Sequence, residues 1–174
     1  MDMPRHHARL TATLAAILAL AATAPLTAAA EQASDALARA DGLSAYLDGR
    51  RIKPEEVGNW YCQDFAYPII ECYSDPETLE DRAHSLLTAG TGDYVVIYDF
   101  TGYAGSYMYV SQNYTVLAVI GWNDRVSSMR SINAGAGNFH VDWFYGGSAY
   151  YFCCNNQYAS LGGFDNTFSS VYRQ

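Results

Sequence analysis

Trp122-Asn123-Asp124-Arg125-Val126-Ser127-Ser128 returns, in type, as Phe164-Asp165-Asn166-Thr167-Phe168-Ser169-Ser170. Each copy is an aromatic, two Asn/Asp residues, two variable positions and a Ser-Ser pair, and the copies lie 42 positions apart. Upstream of each runs a second shared pattern. Tyr98-x-x-x-x-Tyr103-x-Gly105 matches Phe139-x-x-x-x-Phe144-x-Gly146 at an offset of 41, which implies one inserted residue between the two halves of the unit. Matches in type, in one order and at one period point to a tandem duplication of a unit of roughly 40 residues.

The surrounding composition suits such a β domain. Half of the 174 residues are hydrophobic and 16% are charged, which excludes a disordered chain. Fifteen Tyr, seven Phe and three Trp favour strands. The formal net charge is -8, and removal of residues 1–30 leaves -9 with Lys53 as the single lysine. No basic patch for nucleic acid or anionic lipid remains, whereas an acidic surface suits a divalent cation.

Residues 1–30 read as an export signal: Arg5, His6, His7 and Arg9 lead, an apolar stretch follows from Leu10, and Ala28-Ala29-Ala30 offers a small-residue cleavage site. The alternative is an uncleaved anchor, against which the threonines and Pro25 within the stretch argue. Secretion, an extracellular location and no membrane association after cleavage are therefore expected. All four cysteines lie beyond this segment, as an oxidising destination requires.

Residues 31–90 form a small α+β segment in this reading. Asp48-Gly49 marks a tight hairpin within 44–52. Residues 59–73 give a second hairpin that would set Cys62 opposite Cys72, the preferred disulfide. Four cysteines allow three pairings, and the adjacent Cys153 and Cys154 are left either bonded to each other or reduced. A helix is expected over 75–88, with Ser74 or Asp75 capping, Pro76 in the first turn and Glu77 placed for a capping box. Its Leu79, Ala83, Leu86 and Leu87 share one face, directed at the adjoining β domain. From residue 91 to 174 short strands alternate with Gly/Asn/Asp/Ser turns, at 94–98, 106–110, 126–132 and 150–154, as in a sandwich or barrel.

Two copies of aromatic-x-x-x-x-aromatic-x-Gly, each followed by Asn/Asp-Asn/Asp-x-x-Ser-Ser, resemble the paired Greek-key motifs of the βγ-crystallins, in particular their microbial calcium-binding members. The resemblance covers residues 94–173. It implies a mainly β, βγ-crystallin-like double Greek-key β-sandwich, each key contributing to both of two four-stranded sheets, with Gly105 and Gly146 in backbone conformations that a side chain would block. It also implies Ca²⁺ sites. The third motif position would give a main-chain carbonyl (Arg125, Thr167) and the fifth a hydroxyl (Ser127, Ser169). Asn123, Asp124, Asp165 and Asn166 would add side-chain oxygens, and the two loops would exchange ligands. Ser128 and Ser170 are expected to bond within the fold.

Ca²⁺ takes six to eight oxygens. With one carboxylate per loop, Asp124 or Asp165, the affinity class is micromolar or weaker. The Arg125 guanidinium is expected to point to solvent and to weaken the first site relative to the second. Asn-Asp pairs and serines are also ordinary turn residues, so an ion-free fold is the alternative.

No catalytic constellation stands out: His84 and His140 lack nucleophile partners, and no phosphate loop, Cys-x-x-Cys or His-Glu-x-x-His occurs. No enzyme activity is expected. Besides a calcium-stabilised secreted module, the resemblance admits a coat or stress protein. It also admits a secreted protease inhibitor or other protein-binding module, with Tyr67-Pro68 at the tip of the Cys62–Cys72 hairpin as the contact loop and an extracellular protease as partner.

Overall fold

A computed structural model describes residues 42–88 and 92–174. The expected signal sequence, residues 1–30, and residues 31–41 of the expected α+β segment lie outside the described residues. Eleven strands form two sheets among the described residues. In chain order they are β1 (Ser44–Leu47), β2 (Arg50–Ile52), β3 (Tyr61–Ala66), β4 (Ile69–Tyr73), β5 (Tyr94–Phe100), β6 (Ala104–Val110), β7 (Ser128–Ile132), β8 (Gly137–His140), β9 (Ala149–Phe152), β10 (Gln157–Tyr158) and β11 (Ser170–Arg173); helix α1 (Pro76–Thr88) lies between β4 and β5. The mainly β class and the preceding hairpin and helix are as expected. None of these helices is long and apolar enough to cross a membrane.

The larger sheet has the order β10-β7-β5-β6-β3-β4-β1-β2, the smaller β11-β8-β9. This departs from two four-stranded sheets in an informative way. The first Greek key supplies β5, β6 and β7 to the larger sheet, and the second supplies β8, β9 and β11 to the smaller. The third strand of each key crosses over. Residues Gln157 and Tyr158 of the second key pair with β7, while Tyr114 of the first key pairs with Val171 in β11 through a single bridge. The smaller sheet is thus three strands plus one bridge. The larger sheet grows past β6 because β3 pairs with it in parallel, carrying β4, β1 and β2 along.

Strand alternation sorts the larger sheet into two faces. Val95, Ile97, Met108, Val110 and Met129 turn inward and meet Trp122, Phe139, Phe152 and Phe168 in the main core. Tyr94, Val96, Tyr98 and Tyr107 turn outward, where Leu79 of α1 packs on them. That is the docking expected of this helix. Its cap is Asp75, whose carboxylate accepts from the Thr78 N–H and hydroxyl, both at 2.9 Å. The capping box expected from Ser74 and Glu77 therefore does not form: with Asp75 as cap, Thr78 takes the third helical position and Glu77 only the second.

Cys62 and Cys72 face each other across β3 and β4 and are bonded. Loss of both, as Cys62→Ala with Cys72→Ala, should cost about 2.5 kcal/mol by the chain-entropy relation for so short a loop, read as a shift in the urea midpoint. Cys153 and Cys154 are bonded to each other. They lie past the end of β9, where Cys154 and Asn155 take left-handed backbone angles (φ 70° and 60°), and not on a strand as the sequence suggests.

Candidate metal centre in the paired loops

The two Asn/Asp-rich loops lie side by side and interlock through their backbones. The Asp124 N–H donates to the Phe168 carbonyl at 2.9 Å, and the Asn166 N–H donates to the Val126 carbonyl at 3.1 Å. These are the same bond related by a local twofold, since residues 124 and 166, and 126 and 168, are 42 apart. Asp124 and Asn166 both have φ of 54°, the left-handed region that Asn and Asp tolerate better than other side chains.

The hydroxyls follow the same symmetry. Ser127 Oγ donates to Asn166 Oδ1 at 3.0 Å, and the Ser169 hydroxyl bonds the Asp124 carboxylate. Ser127 and Ser169 are both buried. The second serines bond within the fold: Ser128 Oγ donates to the Phe100 carbonyl and accepts from the Tyr103 N–H (2.6 and 3.0 Å). Ser170 Oγ does the same with the Asp142 carbonyl and the Tyr145 N–H (2.7 and 3.0 Å).

That last pair of bonds corrects the register of the folded hairpins. Tyr103 corresponds to Tyr145, so the offset is 42 throughout and no residue is inserted. The pattern of the second unit is His140-x-x-x-x-Tyr145-x-Gly147, not Phe139, Phe144 and Gly146. Backbone angles agree: Tyr103 and Tyr145 have φ of 66° and 63°, Gly105 and Gly147 of 82° and 69°, whereas Gly146 is at -87°. Phe139 is a core residue, and Phe144 is 62% exposed. Each hairpin packs its two aromatics together, Tyr98 edge-on to Tyr103 and His140 tilted against Tyr145. Each is then covered by the equivalent residue of the last strand of its key, Arg130 in the first and Tyr172 in the second. A run of three aromatics at 143–145 and two glycines at 146–147 fits either register by type. The 42-residue spacing of the serines was the signal that decides between them.

Interlocked loops, crossed third strands and twofold-related folded hairpins define the architecture of residues 94–173. It is a βγ-crystallin fold. No protein-family model matches the chain, and no curated protein matches it. Solved structures similar to it include a βγ-crystallin from Ciona intestinalis, at 24% identity and a TM-score of 0.43, over 48% of this chain and 100% of that one. An archaeal βγ-crystallin aligns at 22% identity and 0.43, over 48% of this chain and 99% of that one. A βγ-crystallin domain from Flavobacterium johnsoniae aligns at 21% and 0.41, over 46% and 92%.

The remaining loop residues of this crystallin-type half are asymmetric. Asn123 is engaged twice: its Oδ1 accepts from Trp143 Nε1 at 3.1 Å, and its Nδ2 donates to Asp124 Oδ2 at 2.7 Å. Its counterpart Asp165 has a buried Oδ1 with no hydrogen-bond partner. Arg125 does not point to solvent. Its Nε and Nη2 grip the Asp99 carboxylate at 3.0 and 2.8 Å, its Nη1 reaches the Gly121 carbonyl and Asn59 Oδ1, and the guanidinium lies over the Trp122 ring. Asp99 was missed from sequence because nothing in a strand marks a partner 26 residues away. The pairing neutralises the cation that was expected to weaken the first loop.

Burial raises the pKa of Asp124, opposed by the Ser169 hydrogen bond. No three His, Cys, Asp or Glu side chains group as a metal site among the described residues, so any ion here must be held largely by hydroxyl, amide and main-chain oxygens. Such donors are present. Among the described residues no hydrogen bond is made to the main-chain carbonyls of Arg125 or Thr167, and the Thr167 hydroxyl is turned back to the Phe164 carbonyl.

Elsewhere, His84 is exposed on α1, and His140 is built into its hairpin. The tip of the Cys62–Cys72 hairpin is a two-residue turn. Both edges of that hairpin are paired, to β6 and to β1, the Pro68 carbonyl accepts from the Ser44 N–H, and the Tyr67 ring meets Tyr114 edge-on.

Proposed function

We propose that the paired loops bind Ca²⁺ and that the ion stabilises a secreted βγ-crystallin-type domain. The observation that supports this best is the cross-loop pairing of oxygens. Asp124 with Ser169, and Asn166 with Ser127, bring a second-position side chain of one loop against the fifth-position hydroxyl of the other. The Ser127 and Asn166 oxygens, 3.0 Å apart, suit the shell of one ion holding each at about 2.3–2.6 Å. The orphaned Asp165 Oδ1 and the unbonded carbonyls of Arg125 and Thr167 add oxygens that otherwise lack partners. A hard dication supplies the charge that these oxygens lack and ties the two loops together.

The alanine-rich leader of residues 1–30 and the two disulfides suit an extracellular setting, where free Ca²⁺ is plentiful. A ligand that binds only the folded state adds RT ln(1 + [L]/Kd), about 2.7 kcal/mol at a hundredfold excess over Kd.

Titration of Ca²⁺ into the chelated protein by calorimetry should give binding in the micromolar range or weaker. Calcium should raise Tm by about 5–10 °C over EDTA, from that energy spread over a chain of this size. Asp124→Asn keeps a residue that tolerates left-handed φ and removes the carboxylate. It should weaken binding about tenfold while the apo Tm stays within a few degrees. Binding requires the ionised carboxylate, so the raised pKa of Asp124 makes protons compete at higher pH than at an ordinary aspartate, and affinity should fall as pH falls through that value. Equal melting in calcium and in EDTA would leave the loops as turns alone.

A further inference from the structure

The outer face of the larger sheet carries a feature that the calcium loops do not use. Beside α1, a cavity of about 230 Å³ opens among Tyr94, Tyr98, Tyr103, Tyr109, Arg130 and Glu80. Among the described residues the hydroxyls of those four tyrosines make no hydrogen bond; the residues Tyr94 and Tyr98 are buried, but their hydroxyls open into the cavity. A fifth, Tyr107, donates to the Pro76 carbonyl and Glu80 Oε1, both at 3.3 Å. The hydroxyls are close enough to perturb one another: Tyr94 and Tyr98 raise the pKa of Tyr109, beyond the larger rise from burial.

Arg130 is the second unusual group. Its guanidinium lies over the Tyr103 ring, with Cζ 3.9 Å from the centroid, and near Tyr98. Its Nε is buried without a partner, and among the described residues no carboxylate lies within ion-pair distance of it. Arg82, Arg125 and Arg173 pair with acids, and Arg50 and Arg51, which do not, are exposed; Arg130 is half-buried with no acid in ion-pair distance among the described residues. Contact with the ring holds the guanidinium in place, and its fork geometry favours a planar oxyanion that two N–H groups can grip together.

From this convergence we infer that the cavity is a binding site for a carboxylated sugar, a uronic acid residue, with its carboxylate on Arg130 and its hydroxyls on the tyrosines and Glu80. Three comparisons of chemistry select this class. An aliphatic acid would satisfy the guanidinium but bury four hydroxyls unpaired, at about 1–3 kcal/mol each. An inorganic oxyanion would fill a small part of the space. A neutral sugar would meet the hydroxyls, which both donate and accept, and leave the arginine without a counter-charge. The volume lies below the roughly 300 Å³ where pockets for drug-sized ligands begin, which suits one ring and not an oligomer.

The test is an NMR or calorimetric titration of the full protein, at fixed calcium, with glucuronate, galacturonate, glucose and sulfate. A uronate should bind with Kd of about 1 mM, glucose and sulfate at least about tenfold more weakly. Arg130→Gln should lose about tenfold in uronate affinity, and Tyr109→Phe, which removes one hydroxyl from an intact ring, about threefold with Tm unchanged. Should Arg130→Gln loosen the Tyr98–Tyr103 hairpin, the Tyr109→Phe arm still decides. No uronate binding at about 50 mM, sulfate binding as tightly as uronate, or unchanged affinity in both variants would each overturn the assignment. None of these outcomes bears on calcium, which is held elsewhere.

Discussion

Asp64→Ala should destabilise the protein by about 4 kcal/mol. Asp64 sits on β3, fully buried. One carboxylate oxygen accepts from the Ser111 N–H at 2.6 Å, the other from the Tyr114 hydroxyl at 3.0 Å. Ser111 and Tyr114 begin the crossover that takes the first key to the smaller sheet, where Tyr114 pairs with Val171. The same carboxylate feels the charge of Arg173, whose guanidinium donates to the Ser111 carbonyl and to Asp93. Truncation leaves a buried N–H and a buried hydroxyl without acceptors, and a largely buried arginine with Asp93 as its remaining anion. The measurement is the urea midpoint at constant slope.

Asp64→Asn separates charge from hydrogen bonding. Burial raises the pKa of Asp64, against the lowering effect of Ser111, Tyr114 and Arg173. The folded-state pKa thus lies above the unfolded value near 3.8. The group's contribution to stability is fully present below that unfolded value and is lost as pH rises through the folded one. At neutral pH the ionised carboxylate is a net cost that asparagine does not carry. Stability of the wild type relative to Asp64→Asn should therefore increase on acidification. The other carboxylates act alike in both proteins and cancel in the difference. A pH-independent difference would mean that the carboxyl is solvated in the native state.

How far the sequence goes is visible in these same residues. The duplication, the two Asn/Asp- and Ser-rich loops, the Cys62–Cys72 pairing and the helix after Asp75 all follow from local pattern: a period, an alternation, a cap. Each is decided within a few residues of the chain, where spacing translates directly into geometry. The hairpin register failed because His140 hides an aromatic position behind a different residue type, while Phe139, Phe144 and Gly146 supply a decoy one position earlier. Arg125 was misplaced because its partner is an ordinary aspartate on β5. The parallel pairing of β3 with β6 has no sequence signature at all, since an alternating strand fits beside any edge of like polarity. What is not local is chosen by packing.

That packing predicts a second large effect, at the seam between residues 42–88 and the crystallin fold. Gly121 ends the 3-10 turn Leu117–Ile120 with φ of 67°, and it touches a second 3-10 turn, Pro54–Asn59. A Cβ on Gly121 would stand 2.1 Å from the Glu55 carbonyl oxygen; one on Gly58 would stand 2.2 Å from the Gly121 carbonyl oxygen and 2.6 Å from Arg125 Nη1. The two carbonyl oxygens are backbone, which cannot swing aside as the Arg125 side chain can. Gly121→Ala should cost about 4 kcal/mol, of which the left-handed conformation accounts for about 1 and forced separation of the two turns for the rest. Gly49→Ala supplies the reference. Its φ is 78° and nothing lies within 4 Å of the added Cβ, so it should lose only the conformational part, about 1 kcal/mol. Gly58→Ala, free of any left-handed strain, should lose most of the contact part and also loosen Arg125 from the Gly121 carbonyl. If Gly121→Ala cost no more than Gly49→Ala in matched denaturation curves, the two turns would not be in contact in solution. The first 3-10 turn would then be an appendage, where these distances make it part of the wall that holds the first Asn/Asp-rich loop in place.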